Sequence, residues 1–274
     1  MDVSPFSAGP GSPGGSPGTG SRPVTITRVT ESQWLALDDN EELGRGDVSH
    51  RPDGRMFVSV DSWQADVFDR LAAAMAAELP GPLHAVVHED DLDTRAAWER
   101  AGFAVARRER EYVVPTDPRI TGLDAVPPPP DVTVVPLGRA QEGPLRALHR
   151  AVRAEVGATV GWETMPAEVL PRPDGVTVVD PSKYAVAEVS GHYVGLVRVV
   201  PRRHEARIGL VAVLAEQRRR GVARALLADV LGALHRAGVT AAWAEVDESN
   251  IGAARLIEGL GGQRRGGILE LVRR

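Results

Sequence analysis

Six residues, Arg218-Arg219-Arg220-Gly221-Val222-Ala223, join an apolar run, Ile208 to Leu214, to a helical pattern. From about Gly221, apolar residues recur at Val222, Leu226, Leu227, Val230, Leu231 and Leu234, the spacing of an amphipathic helix. The spacing therefore predicts a strand, a tight loop and a helix. A helix start leaves N–H groups without acceptors and carries a partial positive charge, so it suits an anion such as a diphosphate. Glycine lets the backbone approach that anion closely. Guanidinium groups, here Arg218, Arg219, Arg220 and, one residue past the loop, Arg224, match phosphate oxygens in pairs. The same residues would also serve as a solvated basic turn before a core helix.

Arg218, Gly221 and Ala223 spell Arg-x-x-Gly-x-Ala, which resembles the (Gln/Arg)-x-x-Gly-x-(Gly/Ala) signature of the GNAT superfamily of acyl-CoA-dependent N-acetyltransferases. Val211-x-Val213 upstream, Trp243-Ala244-Glu245-Val246 as the next strand and Asn250 opening another helix are similar to that family in order and spacing. The resemblance implies acetyl-CoA as co-substrate, with no metal. It also implies binding by Val211, Val213, Arg218, Arg219, Arg220, Gly221, Val222, Ala223, Arg224 and Asn250. In this family the strand before the loop splays from the strand after the helix. The opening takes pantetheine, and a main-chain N–H near Val211 or Val213 stabilises the oxyanion. Strand valines are equally core residues. Asn250 suits a helix cap as well as a pantetheine contact.

Acyl transfer to an amine needs a group that removes a proton from the ammonium. Ala242-Trp243-Ala244-Glu245-Val246 followed by Asn250 resembles the matching strand of ribosomal-protein alanine N-acetyltransferases, whose glutamate there is the base. Glu245 is thus the first candidate and Glu205 the second. The alternative for Glu245 is an ion pair with Arg207. Many GNAT enzymes place a proton-donating tyrosine in the last helix, where this chain has Ile257. Gly262 stands where an aromatic residue usually follows Gly261. Tyr193, Tyr184 or water are left to protonate the thiolate.

The 274 residues suffice for two modest domains, and 43% hydrophobic with 25% charged residues is ordinary for a globular chain. Zero cysteines exclude a disulfide framework, a thiolate metal site and a cysteine nucleophile. His84 and His88 have no further ligands at metal spacing. A net charge of −5 gives no general attraction to nucleic acid. Without a membrane-length apolar run or signal-peptide core, the chain is expected to be cytoplasmic and off the membrane.

Residues 1–22 are nearly all Gly, Pro and Ser, the composition of a disordered tail. Residues 23–116 and 132–274 read as two modules joined by a linker, 117–131, which contains Pro127 to Pro130. Slid by 159 residues, Val87, Glu89, Glu99 and Gly102 fall on Val246, Glu248, Glu258 and Gly261 without a gap, which suggests an internal duplication. Asp61-Ser62-Trp63-Gln64 replaces Arg220-Gly221-Val222-Ala223, so the first copy is expected not to hold a diphosphate. In that copy, Val24–Thr27 reads as a strand, Thr30–Leu37 as a short helix and Asp38–Arg55 as loop. Met56–Val60 and Leu83–Val87 read as strands, and helices start near Ser62 and Thr94. Phe103–Ala106 and Tyr112–Val114 close it as a strand pair. In the second copy a strand at Val132–Val135 and a helix at Arg139–Val156 precede a short helix at Gly161–Leu170, where Trp162 lines a pocket or plugs the core. Tyr184–Val189 and His192–Val200 form a hairpin, and His204–Val213 a third antiparallel strand.

The expected fold class is α+β: two GNAT-like modules, the first truncated, each a mostly antiparallel sheet flanked by helices. The expected activity is acetyl transfer from acetyl-CoA to a primary amine of a small molecule, since mycothiol synthases resemble this chain in pairing two such modules. A non-catalytic acyl-CoA sensor or interaction module is the alternative, and coenzyme A release with a panel of amines separates the two.

Overall fold

The computed structural model describes residues 24–39, 41–51, 53–123, 127–159, 170, 177–201 and 205–274. The expected tail at 1–22, Trp162, most of the short helix at Gly161–Leu170, and His204 lie outside them.

The first half supplies β1 (Thr25–Thr30), β2 (Gln33–Asp38), β3 (Glu41–His50) and β4 (Met56–Ser62), then α1 (Ala65–Glu78), β5 (Leu83–His88), α2 (Leu92–Arg100) and β6 (Ala104–Pro115). A short α3 (Pro118–Thr121) leads out of it. The second half supplies β7 (Thr133–Val135), α4 (Glu142–Gly157), β8 (Tyr184–Val189), β9 (His192–Pro201) and β10 (Ala206–Val213). It continues through α5 (Val222–Arg236), β11 (Ala241–Asp247), α6 (Ile251–Glu258) and β12 (Gln263–Arg273).

All these strands join one mixed sheet in the order β1-β2-β3-β4-β5-β12-β6-β11-β10-β9-β8-β7. Replacing each strand by the one six places later in the chain, and reading backwards, returns the same order. The two closing strands are exchanged at the centre. β12 lies between β5 and β6, while β6 of the first half lies against β11 of the second. Three buried clusters cover the sheet. α1 and α2 pack over the first-half strands, with Leu269 and Leu271 of β12 joining them. α5 and α6 pack over β9, β10 and β11. On β9, Val197 faces α5 and Leu196 faces the α4 cluster, so those two layers lie on opposite faces. α5 buries Val222, Leu226, Leu227, Val230, Leu231 and Leu234, each worth about 1.5–3 kcal/mol when fully removed from water.

Three expectations are corrected. Residues 30–37 are not a helix but the end of β1, a tight turn and β2, because Trp34 and Ala36 are buried on alternate positions. Residues 41–50 are not loop but β3. Its inward positions are Gly44, Gly46 and Val48, and a side chain at 46 would overlap the Met75 sulfur of α1. The expected pair Phe103–Ala106 and Tyr112–Val114 is one twelve-residue strand, β6. Its charged middle is matched by neighbours of opposite sign: Arg107 meets Glu109 and Asp247, and Arg110 meets Glu248 at 3.5 Å.

Candidate active site

The site lies where two neighbouring strands separate. β10 and β11 pair in parallel over three residues, Ala206–Ala242, Arg207–Trp243 and Ile208–Ala244. Beyond Ile208 the pairing stops, and β10 carries a bulge between Ile208 and Leu210 on its β9 side. A Cβ on Gly209 would sit 2.9 Å from the Arg198 Nη1, the tip of a side chain that lies against the bulge. From Gly209 to Val213 the edge of β10 facing β11 has no strand partner among the described residues, leaving main-chain donors and acceptors open to a ligand.

The separation forms a cleft of about 120 Å³, lined by Val211 on one side and Glu245, Asn250 and Ile257 on the other. The open edge begins beside the side chains that the sequence singled out. Val211 also packs against the α5 core. Val213 packs there too, and its carbonyl accepts from Arg218 Nε at 2.9 Å. Asn250 caps α6, its Oδ1 accepting the Ala253 N–H at 3.0 Å. Ile257 is buried and reaches the cleft wall.

At the end of β10 the chain turns into α5 through Arg219 at φ 65° and Gly221 at φ 86°, both left-handed. Arginine rarely adopts that region, and such strain concentrates where a loop is shaped for a ligand. No side chain caps α5, and the first backbone acceptor in use is the Gly221 carbonyl, taken by Ala225 N–H. The N–H groups of Val222, Ala223 and Arg224 are therefore presented together at the positive end of the helix dipole. A Cβ on Gly221 would meet Pro129 of the proline run at 3.4 Å. Arg218 bonds Glu155 at 2.8 Å, Arg220 bonds Asp131 and Gln217, and Arg224 donates to the Gly122 carbonyl at 3.2 Å. Arg219 is exposed. A left-handed glycine, a helix start with no side-chain cap among the described residues and neighbouring arginines have the chemistry to receive a diphosphate.

The carboxylates are sorted by the sheet. Glu245 is the first β11 residue past the last β10 pair, and it is bonded by Arg207. The Arg207 guanidinium carbon lies 5.3 Å from the Trp243 ring centre, a cation over an aromatic face. Glu205 lines a different groove, beside Trp243, Glu111 and Arg265. Tyr193 stands outside the cleft, on the α4 side of the sheet, where its hydroxyl accepts the Gln141 N–H at 3.1 Å. Tyr184 is fully buried on that side too.

Two cleft residues escaped the sequence reading because they come from the first half. Arg107 and Glu109 of β6 line the same cleft as Glu245 and Asn250. Burial pushes the Glu109 carboxyl above the usual range, opposed by Arg107 and reinforced by Glu245. The signal was the charged run Arg107-Arg108-Glu109-Arg110-Glu111, which only the strand exchange brings to β11.

Comparison with known proteins bears on this geometry. Residues 153–261, from within α4 to just past α6, match the family model described as Acetyltransferase (GNAT) family. A search of the curated proteins returns no significant match. Among solved structures, a GCN5-related N-acetyltransferase from Sphaerobacter thermophilus is similar at 20% identity and TM-score 0.59, covering 90% of this chain and 82% of that one. A tandem GNAT protein from the clavulanic acid biosynthesis pathway is similar at 16% identity and TM-score 0.59, covering 88% and 82%. A GCN5-related N-acetyltransferase from Kribbella flavida is similar at 17% identity and TM-score 0.57, covering 92% and 90%. These likenesses establish the mixed α/β fold, a central sheet flanked by helices. Among the described residues no helix is long and apolar enough to cross a membrane. The match to the acetyltransferase (GNAT) family over residues 153–261 supports an acyltransferase, and the solved structures show the fold.

Proposed function

We propose that the chain transfers an acetyl group from acetyl-CoA to the primary amine of a small molecule. The observation that carries this reading is the three-residue pairing of β10 with β11, opening into a cleft beside an uncapped helix start at Gly221. Bound acetyl-CoA would supply an acyl group activated as a thioester. The N–H groups of residues 222–224 would hold its diphosphate, with Arg218, Arg219, Arg220 and Arg224 as counter-charges. The open edge of β10, at Val211 and Val213, would orient pantetheine and place an N–H at the thioester oxygen. Asn250 would fix the other side of the cleft. The carboxylates that line the cleft, Glu109 and Glu245, attract an ammonium, and one of them takes its proton. Ile257 gives no proton to the leaving thiolate, a leaving group stable enough to depart without one.

Residues 132–274 are the catalytic module in this reading, 117–131 the linker and 23–116 a degenerate first module. The start of α1 supports that role. It has Gln64 as its cap and Asp66 in its first turn, where α5 has no acidic residue. An aspartate there repels a diphosphate. No metal, nucleic acid or membrane is part of the proposed reaction, and the cytoplasm is its expected place.

Coenzyme A release from acetyl-CoA, measured against a panel of primary amines, tests the reading. Amine-dependent release supports it. Tight binding of coenzyme A with no release on any amine would instead favour a sensor.

A further inference from the structure

We propose that Glu109, delivered by β6 from the first half of the chain, is the proton acceptor for the incoming amine. The inference rests on the acyl-transfer reading of the cleft and assigns a catalytic residue within it. β6 is held between β11 and β12, with Glu109 opposite Asp247 on one side and Ile268 on the other. The side chain is 18% exposed and lines the cleft with Arg107, Val211, Glu245 and Asn250.

The charges facing Glu109 decide between the carboxylates. Arg107, on the same strand, gives one nitrogen to Glu109 and another to Asp247 of β11 at 3.3 Å. Arg207 of β10 is bonded to Glu245 of β11. Glu270 of β12 is bonded to Arg55 at 2.9 Å and to His84 at 2.7 Å, and so has its own partners. Two guanidinium groups thus serve three carboxylates, Glu109, Glu245 and Asp247. Such a cluster takes up one proton at low cost, as paired carboxylates do. Glu245 is ion-paired with Arg207. Glu109 shares Arg107 with Asp247 and is disfavoured as an anion. Burial is the largest cause and Arg107 opposes it; Glu245 adds to it, Arg207 opposes it and Glu270 adds. A base whose affinity for protons is moved toward neutrality is the more effective one.

The step balances. The ammonium proton passes to a Glu109 carboxylate oxygen. The freed nitrogen lone pair forms the bond to the acyl carbon, the carbon–sulfur bond breaks, and the thiolate leaves with that electron pair; the second proton lost by the nitrogen passes through water to the thiolate. The first half of the chain then completes the active site instead of only supporting it.

The test uses the full chain, wild type and Glu109→Gln, with three readouts: coenzyme A binding by calorimetry, thermal midpoint, and coenzyme A release against pH. Release is measured with spermidine, glucosamine and glycinamide as probe amines, and as acetyl-CoA hydrolysis, in which water is the acceptor. Glu109→Gln is expected to lower kcat by about 100-fold at pH 7, within the usual contribution of a general base. It should abolish the acidic limb of the kcat profile and leave coenzyme A affinity within about twofold, because glutamine keeps the size of the side chain and no residue of the Gly221 loop lines the cleft with Glu109. Retention of that limb in Glu109→Gln, with wild-type affinity and midpoint, overturns the assignment alone. A wild-type chain that binds no coenzyme A overturns the cleft reading and this inference together.

Discussion

Arg207 and Glu245 are ion-paired across β10 and β11 at the point where the two strands cease to pair. Their side chains are 13% and 14% exposed. The pair fastens the strands on the closed side of the splay and leaves the next residues free to separate. Glu245 therefore has a structural duty whatever its part in catalysis.

That duty is measurable. Removing one partner of a buried pair leaves the other charge uncompensated, which costs about 3–5 kcal/mol, whereas replacing both with apolar groups is often near neutral. Glu245→Ala is expected to lose about 3 kcal/mol in urea unfolding, and Arg207→Met with Glu245→Leu to recover most of it. Additive losses in the double variant would show that the two residues do not act as a pair.

Gly262 is explained by its neighbour. A Cβ there would lie 2.5 Å from Ile257 Cγ2 and 2.7 Å from the Ile257 carbonyl oxygen. Backbone cannot give way as a side-chain tip can. Gly262→Ala is expected to destabilise by about 1–3 kcal/mol, the usual cost of overpacking. An unchanged thermal midpoint would count against this packing.

Asp229 gives a pH-dependent prediction. It lies half-buried on α5, its Oδ2 has no hydrogen-bond partner, and burial raises its carboxyl above the ordinary value, against the pull of Arg236. The folded state thus binds this proton more tightly than the unfolded state. Its favourable contribution is present in acid and is lost as pH rises through the folded-state value. Asp229→Asn should therefore be more stable than wild type at pH 7, with the gain vanishing below about pH 4. A gain independent of pH would assign it to something other than ionisation.

The exchanged strands predict that the halves depend on each other. Residues 132–274 alone would leave β11 with a bare edge and β12 with neither neighbour. Exposed edges drive aggregation. The fragment should be insoluble by itself and recovered when co-expressed with residues 1–131. A soluble, monomeric fragment with native circular dichroism would contradict the exchange as a source of stability.

The loop and helix of the proposed cofactor site were legible because their signals are local. Gly221, the arginines and the periodic α5 lie in one continuous stretch, and Asn250 announces a helix start by its type alone. β3 was hidden because glycines fill its inward positions, so no apolar alternation survives. β6 was hidden because its middle is charged, and charge is matched there by Asp247 of β11 and Glu248 just past it, well over a hundred residues away. Glu109 could not be placed at the cleft for the same reason. Pairing between halves is a property of the sheet, and a motif search sees only one strand at a time.

Calorimetric titration of coenzyme A into the wild-type chain and into Gly221→Glu tests the central claim most directly. Gly221 is left-handed and faces Pro129, so glutamate brings strain, bulk and a negative charge to the bare end of α5. Saturable 1:1 binding by the wild type, weakened by about 100-fold or more in a folded Gly221→Glu, is the predicted result. Equal affinity in the two proteins would contradict a diphosphate site at this helix.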